Sequence, residues 1–140
     1  PDSKQKYDAS LAWEMLVRSA LVSDAARAAE FATQALAAFP EQHSLRLACA
    51  EALFANGEAE SVLPLLLDSI KVDPEAFVDP MVAYDKRIFG EWAYNFSGAV
   101  YVRLGRRSEA AAAFTQAAGF APDSPVYRIK AAAFSSSRVS

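Results

Sequence analysis

Residues 91–122 constrain this chain more than any other stretch. They read EWAYNFSGAVYVRLGRRSEAAAAFTQAAGFAP. Tyr94, Gly98 and Tyr101 follow at spacings of four and three, the recurrence of one helix face. Gly98 has no Cβ and lets a second helix approach closely. Gly105 suits a turn between two helices. Ala110 and Ala117 are small where helices cross, and Phe114 fills the gap between them. Pro122 cannot continue a helix and closes the unit.

In this register the stretch resembles a tetratricopeptide repeat. That signature is an aromatic, a small residue and Tyr on one helix, then Ala, Phe and Pro on the next. One position departs: Ser97 stands where the family has Leu. The resemblance implies an all-α fold, a right-handed superhelix of antiparallel helix pairs, with residues 1–140 as a single domain.

The remaining sequence is read against this unit. Leu11, Met15 and Val17 to Leu21 recur at helical spacing from about Asp8 to Val22. Ser23 or Asp24 can N-cap a following helix that stops at Pro40. Its Ala28, Ala35 and Leu36 fit the pattern, with Phe31 one place ahead of the Phe114 position, so this first repeat (about 9–42) is degenerate. A second (about 43–74) carries Leu47, Ala50, Leu53 and Phe54, and Gly57 matches Gly105. Pro40 to Pro74 spans 34 positions, the period of the family. Pro64 falls inside the next helix, and a start at Ser61 would avoid its clash with the carbonyl four residues back.

Pro74 to Pro122 spans 48 positions, 14 beyond the period, and the excess is an insert at 75–90. Asp79-Pro80 reads as an N-cap and first helical residue. The stretch from Pro80 to Leu104 reads as one helix of about 25 residues, or two joined near Gly90, with a loop and an ordinary helix as the alternative. After Pro122, Asp123 or Ser124 can cap a last helix, about 124–134, that closes the end of the third repeat. Residues 1–6 and the tail SSSRVS read as frayed ends.

Composition excludes several function classes. One cysteine, Cys49, and one histidine, His43, cannot build a Cys/His zinc cluster or an intrachain disulfide. Cys49 falls where a first helix meets its partner and reads as buried. No phosphate-binding glycine loop is present, and no nucleophile pairs with His43. Enzymatic activity and a cofactor are therefore not expected. No apolar run approaches the roughly 20 residues of a membrane span, and no signal-peptide pattern opens the chain. Pro1 in place of Met reads as a fragment or processed form, with a cytoplasmic location compatible with the single thiol.

The net charge of −3 is unevenly divided. Residues 1–85 hold six Lys/Arg and fourteen Asp/Glu, a net of −8; residues 86–140 hold eight and three, a net of +5. Arg103, Arg106, Arg107 and Arg128, with Lys86, Arg87 and Lys130, form a candidate basic docking edge. A pI near 5.1 argues against nucleic acid. An acidic partner, the acidic half of another copy, or plain solvation all fit the edge.

The resemblance implies where a peptide or protein partner sits. First helices of each pair line a concave groove, placing there Trp13 and Val17, then Leu47, Glu51 and Phe54, then Trp92, Asn95, Phe96 and Ala99. This surface is apolar and aromatic and lacks the Lys/Asn pair of members that grip an acidic C-terminus. Trp13 and Trp92 either line the groove or are covered by neighbouring helices. Asn95 either holds a peptide backbone or is solvated. The implied function is a protein–protein interaction or scaffolding module. A second likeness points elsewhere: RIFGEWAY and YRIK resemble repeat segments attached to bacterial glycosyltransferases, so the chain also fits a segment of a larger enzyme. Self-association driven by the charge asymmetry is a third possibility.

Overall fold

The computed structural model describes residues 3–71 and 86–135. Among them are seven α-helices, a one-turn 3-10 helix at Lys86–Phe89, and no strand. The helices are α1 Ser3–Leu21, α2 Ala25–Ala38, α3 His43–Ala55, α4 Ala59–Ile70, α5 Glu91–Arg103, α6 Arg107–Phe120 and α7 Val126–Ser135. The expected cap at Asp79-Pro80, and the insert up to residue 85, lie outside the described residues. So does the tail after 135. Residues through 65 belong to one compact unit; residues 66–71 with 86–135 belong to a second.

In the first unit, α1 packs on α2 and α3, and α2 packs on α3. α1 begins at Ser3, ahead of the expected Asp8. Lys4 pairs with Asp8 one turn on at 3.3 Å, which supports the early turn. Asp24 caps α2: its carboxylate accepts the Arg27 N–H at 3.0 Å. The helix presents Ala28, Ala29, Ala32 and Ala35 to the core, small side chains that let its neighbours come close. α3 buries Leu45, Ala48, Cys49, Ala50, Ala52 and Leu53. α4 begins at Ala59, two residues ahead of the expected Ser61, so Pro64 lies inside the helix. Its ring removes the N–H that would meet the Glu60 carbonyl, and that carbonyl lies in the first turn.

In the second unit, α5 packs on α6 and on the 3-10 helix, and α6 packs on α7. α5 starts at Glu91, so the long continuous helix expected up to Leu104 is corrected. Lys86–Phe89 is 3-10, and Gly90 stands outside helical geometry at φ −131°, ψ −96°. Gly98 works as its lack of a Cβ suggests. A Cβ there would overlap the ring of Phe114, which is buried from α6. Ser97, the departure from the family pattern, is buried and donates its hydroxyl to the Ala93 carbonyl at 2.7 Å. Pairing within its own helix removes the penalty of burying it.

The helices repeat one another in local detail. Ala25–Ala38 becomes Arg107–Phe120 on moving 82 positions down the chain. Phe39 and Ala121, the residues before Pro40 and Pro122, share one backbone conformation, φ −137°, ψ 66° against φ −135°, ψ 65°. Thr33 donates to the Ala29 carbonyl and Thr115 to the Ala111 carbonyl, 82 positions on. The Arg46 guanidinium donates to the Pro40 carbonyl at 2.6 Å; the Arg128 guanidinium donates to the Pro122 carbonyl at 2.7 Å. Gln42 accepts the Ser44 N–H, and Ser124 accepts the Val126 N–H. A second displacement, 48 positions, carries α3 onto α5, both 13 residues long.

The turns after α3 and α5 show why. Gly57 and Gly105 have φ of 84° and 75°. The next N–H reaches back five residues in each: Glu58 to Leu53 at 2.9 Å, Arg106 to Tyr101 at 2.8 Å. Only glycine takes this left-handed position without strain, and the closure satisfies the last carbonyls of the helix. Between α1 and α2 the equivalent position is Ser23. There no positive φ occurs, and Asp24 instead donates its N–H to the Ala20 carbonyl while capping α2.

Candidate binding surface

In the first unit, α1 and α3 carry the candidate groove residues. Trp13, Leu47, Glu51 and Phe54 are half-buried, with part of each side chain reachable from solvent. Val17 is a correction: it is fully buried where α1 meets its neighbours, so it is core and not groove. Val17, Glu51 and Ala99 are equivalent repeat positions, and of the three only Val17 is fully buried.

Glu51 sits in a small charged group. Arg18 bonds Glu14 at 3.1 Å along α1 and reaches Glu51 on α3 at 3.5 Å. Burial pushes the Glu51 carboxyl up from its ordinary value, and the Arg18 guanidinium only partly opposes this. Close by, Cys49 is buried, and its thiol is pushed up to about 12, by burial first and by Glu14 second. A thiol this reluctant to ionise is a poor nucleophile and a poor metal ligand. His43 opens α3, half-buried.

In the second unit, Trp92, Asn95 and Phe96 on α5 are half-buried. Arg87 lies over the Trp92 ring, 4.3 Å from its centroid. Asn95 has a partner within the chain: its Oδ1 accepts from Lys130 Nζ on α7 at 3.0 Å. Four residues earlier, the Tyr127 hydroxyl donates to Glu91 at 2.7 Å. α7 thus covers part of the face of α5 that the sequence assigned to the groove. The Tyr127 phenol is pushed up to about 12 by burial, then by its bond to Glu91.

The basic edge is largely committed within the chain. Arg106 grips Glu109 with two nitrogens at 2.6 and 2.8 Å and lies over Tyr101. Arg107 donates to the Ala133 carbonyl at 3.0 Å and lies over Phe134. Arg128 is held on Pro122. Arg107 thus binds a carbonyl of the last turn of α7, which has no partner inside its own helix, and Arg128 binds one in the turn after α6. Their side chains, with Arg103, remain exposed. Sequence reasoning missed this tying role, although an Arg six residues after each of Pro40 and Pro122 was visible.

A hollow of about 240 Å³ in the second unit is lined by Leu67, Ile70, Tyr94, Ser97, Tyr101 and Gln116. Its walls are mostly apolar, and its volume is below that of clefts that enclose a drug-sized ligand, roughly 300–1,000 Å³. It has room for one large side chain. Among the described residues no group of three His, Cys, Asp or Glu is arranged to hold a metal ion, and no helix is long and apolar enough to cross a membrane. No family model, curated protein or solved structure shows significant similarity to the chain.

Proposed function

We propose that the chain is a helical-repeat interaction module of the tetratricopeptide type that holds an apolar peptide segment, without chemistry of its own. One observation carries this reading. Trp13 and Leu47 occupy the same repeat position, and both are half-buried, each presenting part of its side chain on the same register of a first helix. The 82- and 48-position displacements of α2 onto α6 and α3 onto α5 support the repeat assignment. A large aromatic with one wet edge gains contact when a partner covers it, and such residues carry most of the energy in protein interfaces. In the first unit Leu47 and Phe54 flank Glu51 on α3, with Trp13 on α1, an apolar surface with one carboxylate to fix orientation.

Peptide selection from a displayed random library tests this. Enriched peptides rich in apolar side chains are expected. Trp13→Ala and Leu47→Ala should each weaken the best of them at least tenfold, about 1.4 kcal/mol. Arg107→Ala, tied to α7, should leave the affinity within twofold. Failure to enrich any peptide, or a ligand indifferent to both groove variants, sinks the proposal.

A further inference from the structure

We infer that the hollow at the end of α4, against α5 and α6, is a binding site for a small uncharged aromatic molecule, one ring or two fused rings in size. All of its lining residues lie in the second unit. The inference does not depend on the peptide groove, because no groove residue lines the hollow.

The third repeat is short of side-chain volume at this place. In the register set by the 82- and 48-position displacements, Ala113 stands where the first repeat has Phe31 and the second has Leu65. Ser97 stands where they have Met15 and Cys49. Ala113 and Ser97 both line the hollow, and each is the smallest of its three. In the second repeat the matching place is occupied. Cys49 is fully buried, Leu65 is half-buried, and Arg46, the counterpart of Tyr94, donates to the Leu65 carbonyl at 3.4 Å. In the third repeat a volume of about 240 Å³ is left. An apolar cavity of about 150 Å³ already takes benzene. The side chain missing by comparison with the first repeat is itself a ring.

The walls select the chemistry. Tyr94 and Tyr101 lie two turns apart on one face of α5, with Ser97 between them. Both rings are held by neighbours: Tyr94 stacks on Phe120 with centroids 5.9 Å apart, and Arg106 lies over Tyr101 at 5.1 Å. A planar guest can meet such rings edge to face or offset, which gains beyond the area buried. Leu67, Ile70 and Ala112 supply aliphatic contact. Ser97 is engaged with the Ala93 carbonyl, and Glu109 with Arg106. A charged guest would therefore give up its hydration among mostly apolar walls. Gln116, which is exposed, offers an amide that donates and accepts, enough for one hydroxyl or ring N–H.

The experiment is a titration of the isotope-labelled whole chain with phenol and with indole, followed by amide NMR up to about 10 mM, ten times a millimolar Kd. The amides of Ser97, Tyr101, Ala113 and Gln116 are expected to shift together with a Kd of about 1 mM or tighter, and those of α1 to α3 to stay in place. Cyclohexanol, similar in size but not aromatic, and benzoate, aromatic but charged, should each bind at least about tenfold more weakly than phenol. Ala113→Phe places the ring of the first repeat in the hollow, and Ala113→Leu the side chain of the second. Each should weaken phenol and indole at least about tenfold. Ala113→Leu serves if circular dichroism shows that Ala113→Phe is misfolded, and the wild-type shift map decides if both are. No shift, shifts centred elsewhere, cyclohexanol or benzoate binding as well as phenol, or folded variants that bind like wild type overturn the inference. N-acetylphenylalaninamide binding at least about tenfold tighter than phenol overturns it too, and gives the hollow to an aromatic side chain of a partner.

Discussion

The Tyr127 hydroxyl donates to the Glu91 carboxylate at 2.7 Å, tying α7 to α5 in a partly buried setting. A hydrogen bond to a charged acceptor contributes about 1.5–3 kcal/mol when well sheltered, and partial exposure puts this one near the lower end. Tyr127→Phe keeps the ring and removes only the bond. It should lower stability in urea denaturation by about 1–2 kcal/mol. The raised phenol, at about 12, fixes the sign of the pH effect. The folded state holds this proton more tightly than the unfolded state, so its contribution is present below pH 10 and is lost as pH rises through about 12. Absorbance titration at 295 nm should show a late-ionising phenol in the native chain that is missing from the variant. An unchanged titration curve would contradict the assignment.

Gly57 and Gly105 perform the same task 48 positions apart, at φ of 84° and 75°. Neither has an atom within 4 Å of the place where a Cβ would stand. Any cost of alanine there is therefore conformational and not steric. Gly57→Ala and Gly105→Ala should each destabilise by about 1–2 kcal/mol, the strain of a non-glycine residue in the left-handed region. Asparagine at either position should cost less, because its side chain tolerates that region better. Chemical denaturation of the four variants checks this, and an alanine that costs nothing would show that the turn relaxes.

These glycines also show why so much of the fold could be read in advance. Gly57, Gly105, Pro40 and Pro122 act through their own backbone chemistry, which needs no knowledge of distant residues. The same holds for the Asp24 cap. What could not be read depended on residues far apart in the chain. Asn95 meets Lys130, 35 positions away, and its amide looked unemployed until α7 was in place. Val17 is apolar whether it faces a groove or a core, so its burial depends on how α1 packs. A junction near Gly90 was one alternative the sequence offered, but the 3-10 turn at Lys86–Phe89 before it was not. The buried Gly90 lies beneath the ring of Phe120, which itself stacks on Tyr94 with centroids 5.9 Å apart. The basic edge was legible as charge, but not as a set of ties to a carboxylate and to backbone carbonyls of the same chain.

Gly98→Ala sets two effects against each other. Alanine improves helix propensity by about 1 kcal/mol. Its Cβ would also collide with the Phe114 ring, which is only 3% exposed and has little room to move. Overpacking of this type costs about 1–3 kcal/mol and should win, leaving a net loss of up to about 2 kcal/mol. In a Phe114→Leu background the collision is relieved, and the alanine should become neutral or stabilising. Thermal melts of the four proteins give the coupling directly, and additivity of the two substitutions would refute the contact as its cause.

Cys49 offers a test of the α3 core. Its thiol is pushed to about 12 from an ordinary 9.0. At pH 8 that lowers the reactive thiolate roughly a thousandfold. Iodoacetamide should label the native chain at least that much more slowly than the chain in concentrated urea. Comparable rates would mean that α3 opens readily and that the thiol is not held in the packed state described.

Glu51 carries the last prediction, because its two influences have opposite signs. Burial raises its carboxyl above the ordinary 4.5, and Arg18, at 3.5 Å, only partly restores it. In the folded chain the proton is therefore held more tightly than in the unfolded chain. Stability from this group is fully present below pH 4.5 and is lost as pH rises through the raised value. Glu51→Gln keeps the shape and removes the charge. It should flatten this part of the pH–stability curve and raise Tm slightly at pH 7.5. The side chain is 38% exposed, so solvent screens most of the effect. A gain of about 0.5 kcal/mol or less, roughly 2 °C, is expected. If Tm at pH 7.5 falls by several degrees instead, the Arg18 pair outweighs burial and the charge at Glu51 is stabilising. Peptide affinity measured on the same variant then separates the two roles of this carboxylate. A residue that orients a ligand through its charge should lose affinity in Glu51→Gln while the fold holds or gains stability.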